Sequence, residues 1–91
     1  DGGTVTPSQT VNQREPVSIQ VLTVNPGYRF LRWVNEENSV IDNIFNESTK
    51  VTVKGDSTTV TAEFILVQTD TVTHGSVIEL DASEIKNILK G

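Results

Sequence analysis

The chain has no cysteine and a single histidine, His74, among its 91 residues. Without cysteine it can form neither a disulfide framework nor a thiolate metal site. One histidine is too few for a zinc site, and no pattern marks the nucleophile and the orienting acid that a catalytic His74 would need. The sequence therefore predicts no enzymatic activity, no bound metal and no cofactor.

Long apolar runs are missing as well. No run approaches the ~20 apolar residues of a membrane-spanning helix, and the start of the chain has no signal-peptide pattern. We therefore expect no direct insertion into a membrane. The sequence begins at Asp1 and not at a methionine, and we interpret it as a piece of a longer protein.

Basic residues are scarce. The 7 Lys and Arg are outnumbered by 12 Asp and Glu, which gives a formal net charge of −5. A nucleic-acid-binding protein needs a basic stripe to neutralise phosphates, and an anionic membrane surface attracts polybasic segments. The sequence therefore excludes both from the expected partners. A mildly acidic surface stays solvated, which suits a spacer between other domains.

Threonine and valine are abundant, and their β-branched side chains favour strands. The chain is long enough for one small domain with one core. The sequence therefore predicts a mainly β fold, a small antiparallel sheet domain. The predicted strands cover residues 4–6, 17–24, 28–34, 49–54 and 57–66. The aromatic residues expected to anchor the packing are Tyr28, Phe30, Trp33, Phe45 and Phe64.

Two turn signals separate these strands. Asn25-Pro26-Gly27-Tyr28 has the residues of a type II turn, because Pro26 presets φ and Gly27 supplies a positive φ. A tight turn there would make the strands on either side antiparallel neighbours. Gly55-Asp56 is likewise typical of a hairpin, joining residues 49–54 to residues 57–66.

Alternation along the predicted hairpin divides its side chains between two faces. Glu63 and its threonine neighbours fall on the outward face. In strand 28–34 the same alternation places Phe30 and Trp33 on opposite faces, although both favour burial. Either a bulge near Leu31 or Arg32, or cover on both faces, would resolve this. The predicted core consists of Phe30, Trp33, Val51, Val53, Val60, Ala62 and Phe64.

Two segments are less regular. Residues 39–45 have an apolar spacing that fits a short helical turn as well as a strand. In the tail, residues 71–73 and 76–80 predict strands, and residues 82–90 predict a helix whose N-cap is Asp81, with Glu84 completing a capping box. We expect residues 1–66 to form a β module. Residues 67–91 would be an extension that packs on it or begins a following repeat.

Two short runs resemble a known family, namely residues 27–33 (GYRFLRW) and residues 61–64 (TAEF). Together they resemble the internalin-type B repeats of bacterial surface proteins, in their divergent form, over roughly residues 2–64. The resemblance implies a β-grasp-like module without catalytic role, placed in arrays between a secretion signal and a surface anchor. It therefore implies an extracellular location at the bacterial cell surface and a spacer or adhesion function.

Candidate ligand contacts are few. Tyr28, together with Trp33, could offer aromatic faces to a sugar ring, and the alternative for both side chains is a place in the core. Such a platform, or an exposed sheet edge, would make the chain a binding module for a host or cell-wall glycan or protein. Asp42, Asn43 and Asp56 are too sparse for a calcium loop. Otherwise we expect neighbouring domains of the same chain as partners.

Overall fold

The computed structural model describes residues 2–82, which form eight β-strands and contain no helix. The predicted mainly β class is therefore confirmed. The helix predicted for residues 82–90 lies outside the described residues except for Ala82, which follows the last strand. The strands are β1 (Gly3–Val5), β2 (Gln9–Thr10), β3 (Val17–Val24), β4 (Tyr28–Val34), β5 (Ser39–Ile41), β6 (Ser48–Val53), β7 (Ser57–Leu66) and β8 (Thr71–Asp81).

The strands form two four-stranded sheets. The first sheet has the order β1-β3-β6-β5, and the second has the order β2-β8-β7-β4. All neighbouring strands are antiparallel except β2 and β8, which pair in parallel through Gln9 and Thr10. The β-grasp-like arrangement stays a prediction, since the described residues contain no helix to pack across a sheet.

One hydrophobic core joins the two sheets. Its side chains come from β1, β3 and β6 of the first sheet and from β4, β7 and β8 of the second. Trp33 and Phe64 lie in it together, with 1% and 0% of their surface exposed. The core residues are Val5, Val11, Ile19, Phe30, Trp33, Val51, Val53, Val60, Ala62, Phe64, Ile78, Leu80 and Ala82.

A bulge in β4 allows both of its large aromatic residues to face this core. The register with β7 shifts between Phe30 and Arg32, so that Leu31 is the extra residue. Phe30 then stands opposite Phe64, and Trp33 stands opposite Ala62. The Phe30 ring centroid lies 5.4 Å from that of Trp33 and 6.0 Å from that of Phe64. Of the two alternatives left open by the sequence, the bulge is the one that occurs.

The strand pairing at both predicted turns was wrong. β3 and β4 belong to different sheets, and so do β6 and β7, which means that neither turn closes a hairpin. Gly55 and Asp56 lie in a connection that crosses from one sheet to the other. A strand with one apolar face can meet its neighbour edge to edge in one sheet or face to face across the core. Here the face-to-face arrangement places Val51 and Val53 of β6 in the same core as Val60, Ala62 and Phe64 of β7.

The local turn chemistry at Pro26-Gly27 is nevertheless as expected. Gly27 has φ of +87°, and the Tyr28 amide donates to the Asn25 carbonyl at 3.1 Å. The Val67 amide donates to the Gly27 carbonyl at 2.9 Å, which ties the turn to the end of β7. The turn therefore forms, but it connects the two sheets.

The segments that the sequence left open are now defined. Residues 39–45 begin as β5 and continue as a turn. The two strands predicted in the tail are one continuous strand, β8, with a register shift opposite Ala62. Asp81, predicted as a helix N-cap, is the last residue of β8. β8 pairs with β7 along its length and places Ile78 and Leu80 in the core with no exposed surface.

Candidate functional site

Trp33 cannot act as a sugar-stacking platform. Its side chain is buried, and its indole Nε1 donates to the Asn46 carbonyl at 2.8 Å. An indole N–H normally finds such a partner when the ring is buried. The hydrogen bond also ties β4 to the loop between β5 and β6, so Trp33 holds the two sheets together.

The aromatic candidates Tyr28 and Phe45 differ in how far they are buried. Tyr28 is partly buried and packs against the core at the end of β4, opposite Leu66. Phe45, predicted as a packing anchor, is instead 68% exposed in the loop after β5. No local sequence pattern distinguishes Phe45 from Ile44 beside it, which does pack on the core.

The predicted turn residues Gly55 and Asp56 lie near Ala82, the last described residue. The Asp56 carbonyl accepts a hydrogen bond from the Ala82 amide at 2.7 Å, and the Gly55 carbonyl accepts one from Gln13 Nε2 at 2.8 Å. The first bond fastens the connection between β6 and β7 to the end of β8, and the second fastens it to the loop after β2. Their role in this position is structural.

A charged row crosses three strands on the side of the second sheet that faces away from the core. Arg32 on β4, Glu63 on β7 and His74 on β8 stand side by side in the strand register. Arg32 Nε lies 2.8 Å from Glu63 Oε1, and His74 Nε2 lies 3.3 Å from Glu63 Oε2. The Glu63 side chain is only 7% exposed, whereas the side chains of Arg32 and His74 are 48% and 80% exposed.

Glu63 was predicted to face outward, and the sequence did not predict its burial on that face. It does point away from the core, but Arg32 and His74 cover it from the two neighbouring strands. Ion pairs of this kind compensate part of the cost of removing a carboxylate from water. The burial of Glu63 could not be predicted from the sequence, because it depends on a strand register that brings together positions distant in the chain.

We expect Arg32→Ala to lower the free energy of unfolding by about 1–2 kcal/mol, because it leaves the buried Glu63 carboxylate without its guanidinium donor. The matched control is Arg29→Ala on the exposed side of the same strand, where we expect less than ~0.5 kcal/mol. Urea unfolding followed by circular dichroism measures both. Equal losses at the two positions would contradict a specific role for the ion pair.

The surface of residues 2–82 has several shallow depressions. One of them, about 520 Å³, is lined by the polar residues Asn35, Glu36, Glu37 and Asn38. Within this part of the chain no group of three or more His, Cys, Asp or Glu side chains is placed to hold a metal ion. The same residues include no helix with the length and apolar character to span a membrane.

The chain enters and leaves this body at opposite ends. At the entry, the Gly2 carbonyl accepts from the Asn25 amide at 2.7 Å, and a β-carbon on Gly2 would come within 2.7 Å of the Phe64 Cβ. At the exit, Ala82 is bonded to Asp56. Positions 56 and 64 are about 26 Å apart along an extended strand. β1 and β8 both run from the entry end toward the exit end.

Comparison with known protein families matches residues 1–68 to the divergent InlB B-repeat domain. The chain belongs to this family. The match covers both runs that carried the resemblance, GYRFLRW and TAEF, and confirms it. No curated protein and no solved structure is significantly similar to this B-repeat. Membership suggests a module of a bacterial surface protein with an extracellular location, and the family is not a known enzyme family.

The B-repeat match ends at residue 68, before β8 begins at Thr71. In the structure β8 nonetheless lies between β2 and β7 and covers the core with Ile78 and Leu80. The part of the chain that folds together is therefore longer than the part that matches the family.

Proposed function

We propose that this B-repeat is a non-catalytic spacer of a bacterial surface protein, holding a more distal domain away from the cell. The observation that carries the proposal is the position of Gly2 and Ala82, the two ends of the described residues. Because the entry at Gly2 and the exit at Ala82 lie at opposite ends, each module placed in an array adds its length to the array. A module whose ends met on one side would add little.

The direction of the end strands supports the same role. A force that separates the two chain ends pulls β1 toward the entry end and β8 toward the exit end. Each of these strands is bonded to an antiparallel neighbour by hydrogen bonds perpendicular to the strands. Such a load is a shear, in which many hydrogen bonds must break together. The module would therefore resist extension while its acidic surface stays solvated.

Single-molecule pulling tests this mechanism. The chain has no cysteine, so a single introduced cysteine gives a unique attachment point. We expect a clearly higher unfolding force when the module is pulled through its two termini. The comparison is a pull through the N-terminus and Gln68→Cys, where both handles lie at the entry end and the strands peel apart. Equal forces in the two geometries would argue against a mechanical spacer.

The expected partners follow from this role. We propose neighbouring domains of the same chain, with no nucleic acid and no membrane insertion, in keeping with the net charge of −5. The β-grasp-like arrangement and the helix over residues 82–90 belong to the same proposal, since the helix would lie next to the following domain. The boundary of the module would then fall after β8 and not at residue 66.

A second proposal, binding of a host or cell-wall glycan or protein, is favoured by the exposed ring of Phe45. Binding to a glycan array or to host extracts, lost with Phe45→Ala but retained with Tyr28→Ala, would support it. Loss with Tyr28→Ala in a folded protein would instead place the contact at the end of β4. No saturable binding would leave the spacer proposal as the better one.

A further inference from the structure

The second sheet has a face that no other part of residues 2–82 covers. We call it the outer face: the side chains of β4, β7 and β8 that point away from the core. The strand register arranges them in rows across the sheet. In order along the strands, the rows are Glu79 with Thr59; Val77, Thr61 and Val34; His74, Glu63 and Arg32; and Val72, Ile65 and Arg29.

The row of Val77, Thr61 and Val34 gives the outer face an apolar middle, and the fourth row adds Val72, which is 46% exposed. Val77 is 47% exposed and Val34 is 39% exposed, and they flank Thr61 in the same row. Strands with one face on a core usually present polar side chains on the other face. Two exposed valines in one row of a threonine-rich sheet are therefore a feature that solvation alone does not explain.

The rows on either side of the apolar middle carry opposite charge. On one side stands Glu79, and the Glu36 carboxylate joins it there by accepting from the Thr59 amide at 2.9 Å. On the other side stand Arg32 and His74, with Arg29 one row further. Because the Glu63 carboxylate is buried beneath Arg32 and His74, the charged groups that reach solvent at this end are the guanidinium groups of Arg32 and Arg29.

We propose that the outer face binds the outer face of a second copy of the chain. A two-fold axis that crosses the strands at Thr61, in the plane between two facing sheets, places the acidic row of each copy on the cationic row of the other. Symmetric dimers require a self-complementary patch of this kind. Opposite charges across the contact would favour this register over others.

The axis also specifies which residues meet. Val77 lies on the row of the axis and meets Val77 of the second copy, and Val34 likewise meets Val34. Glu79 faces His74 of the second copy, and Glu36 faces Arg32. The inference does not depend on the spacer function, because it concerns a single module.

The contact is small. Three strands over the length of the four rows cover about 350 Å² per copy, whereas a stable interface buries roughly 800 Å² per partner. A single pair of modules therefore associates weakly. The two-fold axis reverses the strand direction, so two arrays that run antiparallel would repeat the contact, and the linked contacts would strengthen one another.

The test exploits the position of Val77 on the axis. Self-association of the full chain is measured by sedimentation equilibrium and by concentration-dependent NMR shifts from micromolar to millimolar protein. Val77→Asp and Val77→Lys each place two like charges opposite each other, and we expect each to weaken self-association at least tenfold. An equimolar mixture of the two variants should associate again. Val40→Asp is the matched control, since Val40 is 45% exposed on the other sheet.

Several results would overturn the proposal. One is that the native chain shows no concentration-dependent self-association. Another is that Val40→Asp weakens self-association as much as the Val77 variants do. A third is that the mixture of the two Val77 variants fails to associate although both variants melt cooperatively. Shifts of the outer-face signals on adding heparin, without self-association, would mean that an anionic polysaccharide takes the place assigned here to a second copy.

Discussion

Replacing Trp33 by alanine is expected to lower the free energy of unfolding by about 3–5 kcal/mol, the range found for buried aromatic residues. The indole is 1% exposed and touches the Phe30 ring, so its removal leaves a cavity between the two sheets. The hydrogen bond from Nε1 to the Asn46 carbonyl would be lost as well. A small domain has only ~5–15 kcal/mol of stability in total.

Thermal and urea unfolding followed by far-ultraviolet circular dichroism measure this change, since the variant has no tryptophan fluorescence. Val34→Ala is the control, because it is the next residue on β4 but lies on the outer face. We expect it to cost less than ~1 kcal/mol. A Trp33→Ala protein as stable as the control would show that the sheets do not depend on this side chain.

Ending the chain at residue 68, where the family match ends, is expected to prevent folding. The fragment would lack Ile78 and Leu80, and loss of a fully buried aliphatic side chain costs ~2–5 kcal/mol even when the backbone remains. It would also turn β7 from a central strand into an edge strand, with unpaired amides and carbonyls. These losses together exceed what a domain of this size can tolerate.

The control is a fragment that ends at Ala82, which keeps the whole of β8 and its bond to Asp56. We expect this fragment to show dispersed amide NMR signals and a cooperative thermal transition, and the shorter fragment to show neither. A folded fragment of residues 1–68 would mean that the family match alone defines the module.

The sequence predicted those features of the fold that depend on neighbouring residues. Alternation placed Val51, Val53, Val60, Ala62 and Phe64 on inward faces, and all five lie in the core. The conflict between two large aromatic residues in one strand left a bulge or cover on both faces as alternatives, and the bulge occurs, between Phe30 and Arg32. Each inference needed only the period of a strand and the size of a side chain.

Which strands pair could not be predicted from the sequence. Gly55 and Asp56 permit a tight hairpin and an inter-sheet connection equally well, and only the choice of partner strand decides between them. β6 pairs with β3 and β5, and both of these precede it in the chain. β7 pairs with β4, which precedes it, and with β8, which follows it. Alternation within one strand carries no information about that choice.

The candidate site shows the same limit. Alternation correctly placed Glu63 on the side away from the core, and the burial comes from Arg32 and His74 on other strands. Phe45 was expected inside because of its size alone, and it lies outside because the chain turns after β5. Size and period do not tell where a chain turns.

The parallel pairing of β2 with the end of β8 has a consequence for how the chain acquires its structure. Gln9 is opposite Leu80 and Thr10 is opposite Asp81, so this contact links the second of the described strands to the last of them. Closing so large a loop costs entropy before any contact is gained, and proteins rich in such distant pairings fold slowly. A chain delivered N-terminus first would hold β2 unpaired until residue 81 has emerged. The module would thus close only when β8 has emerged.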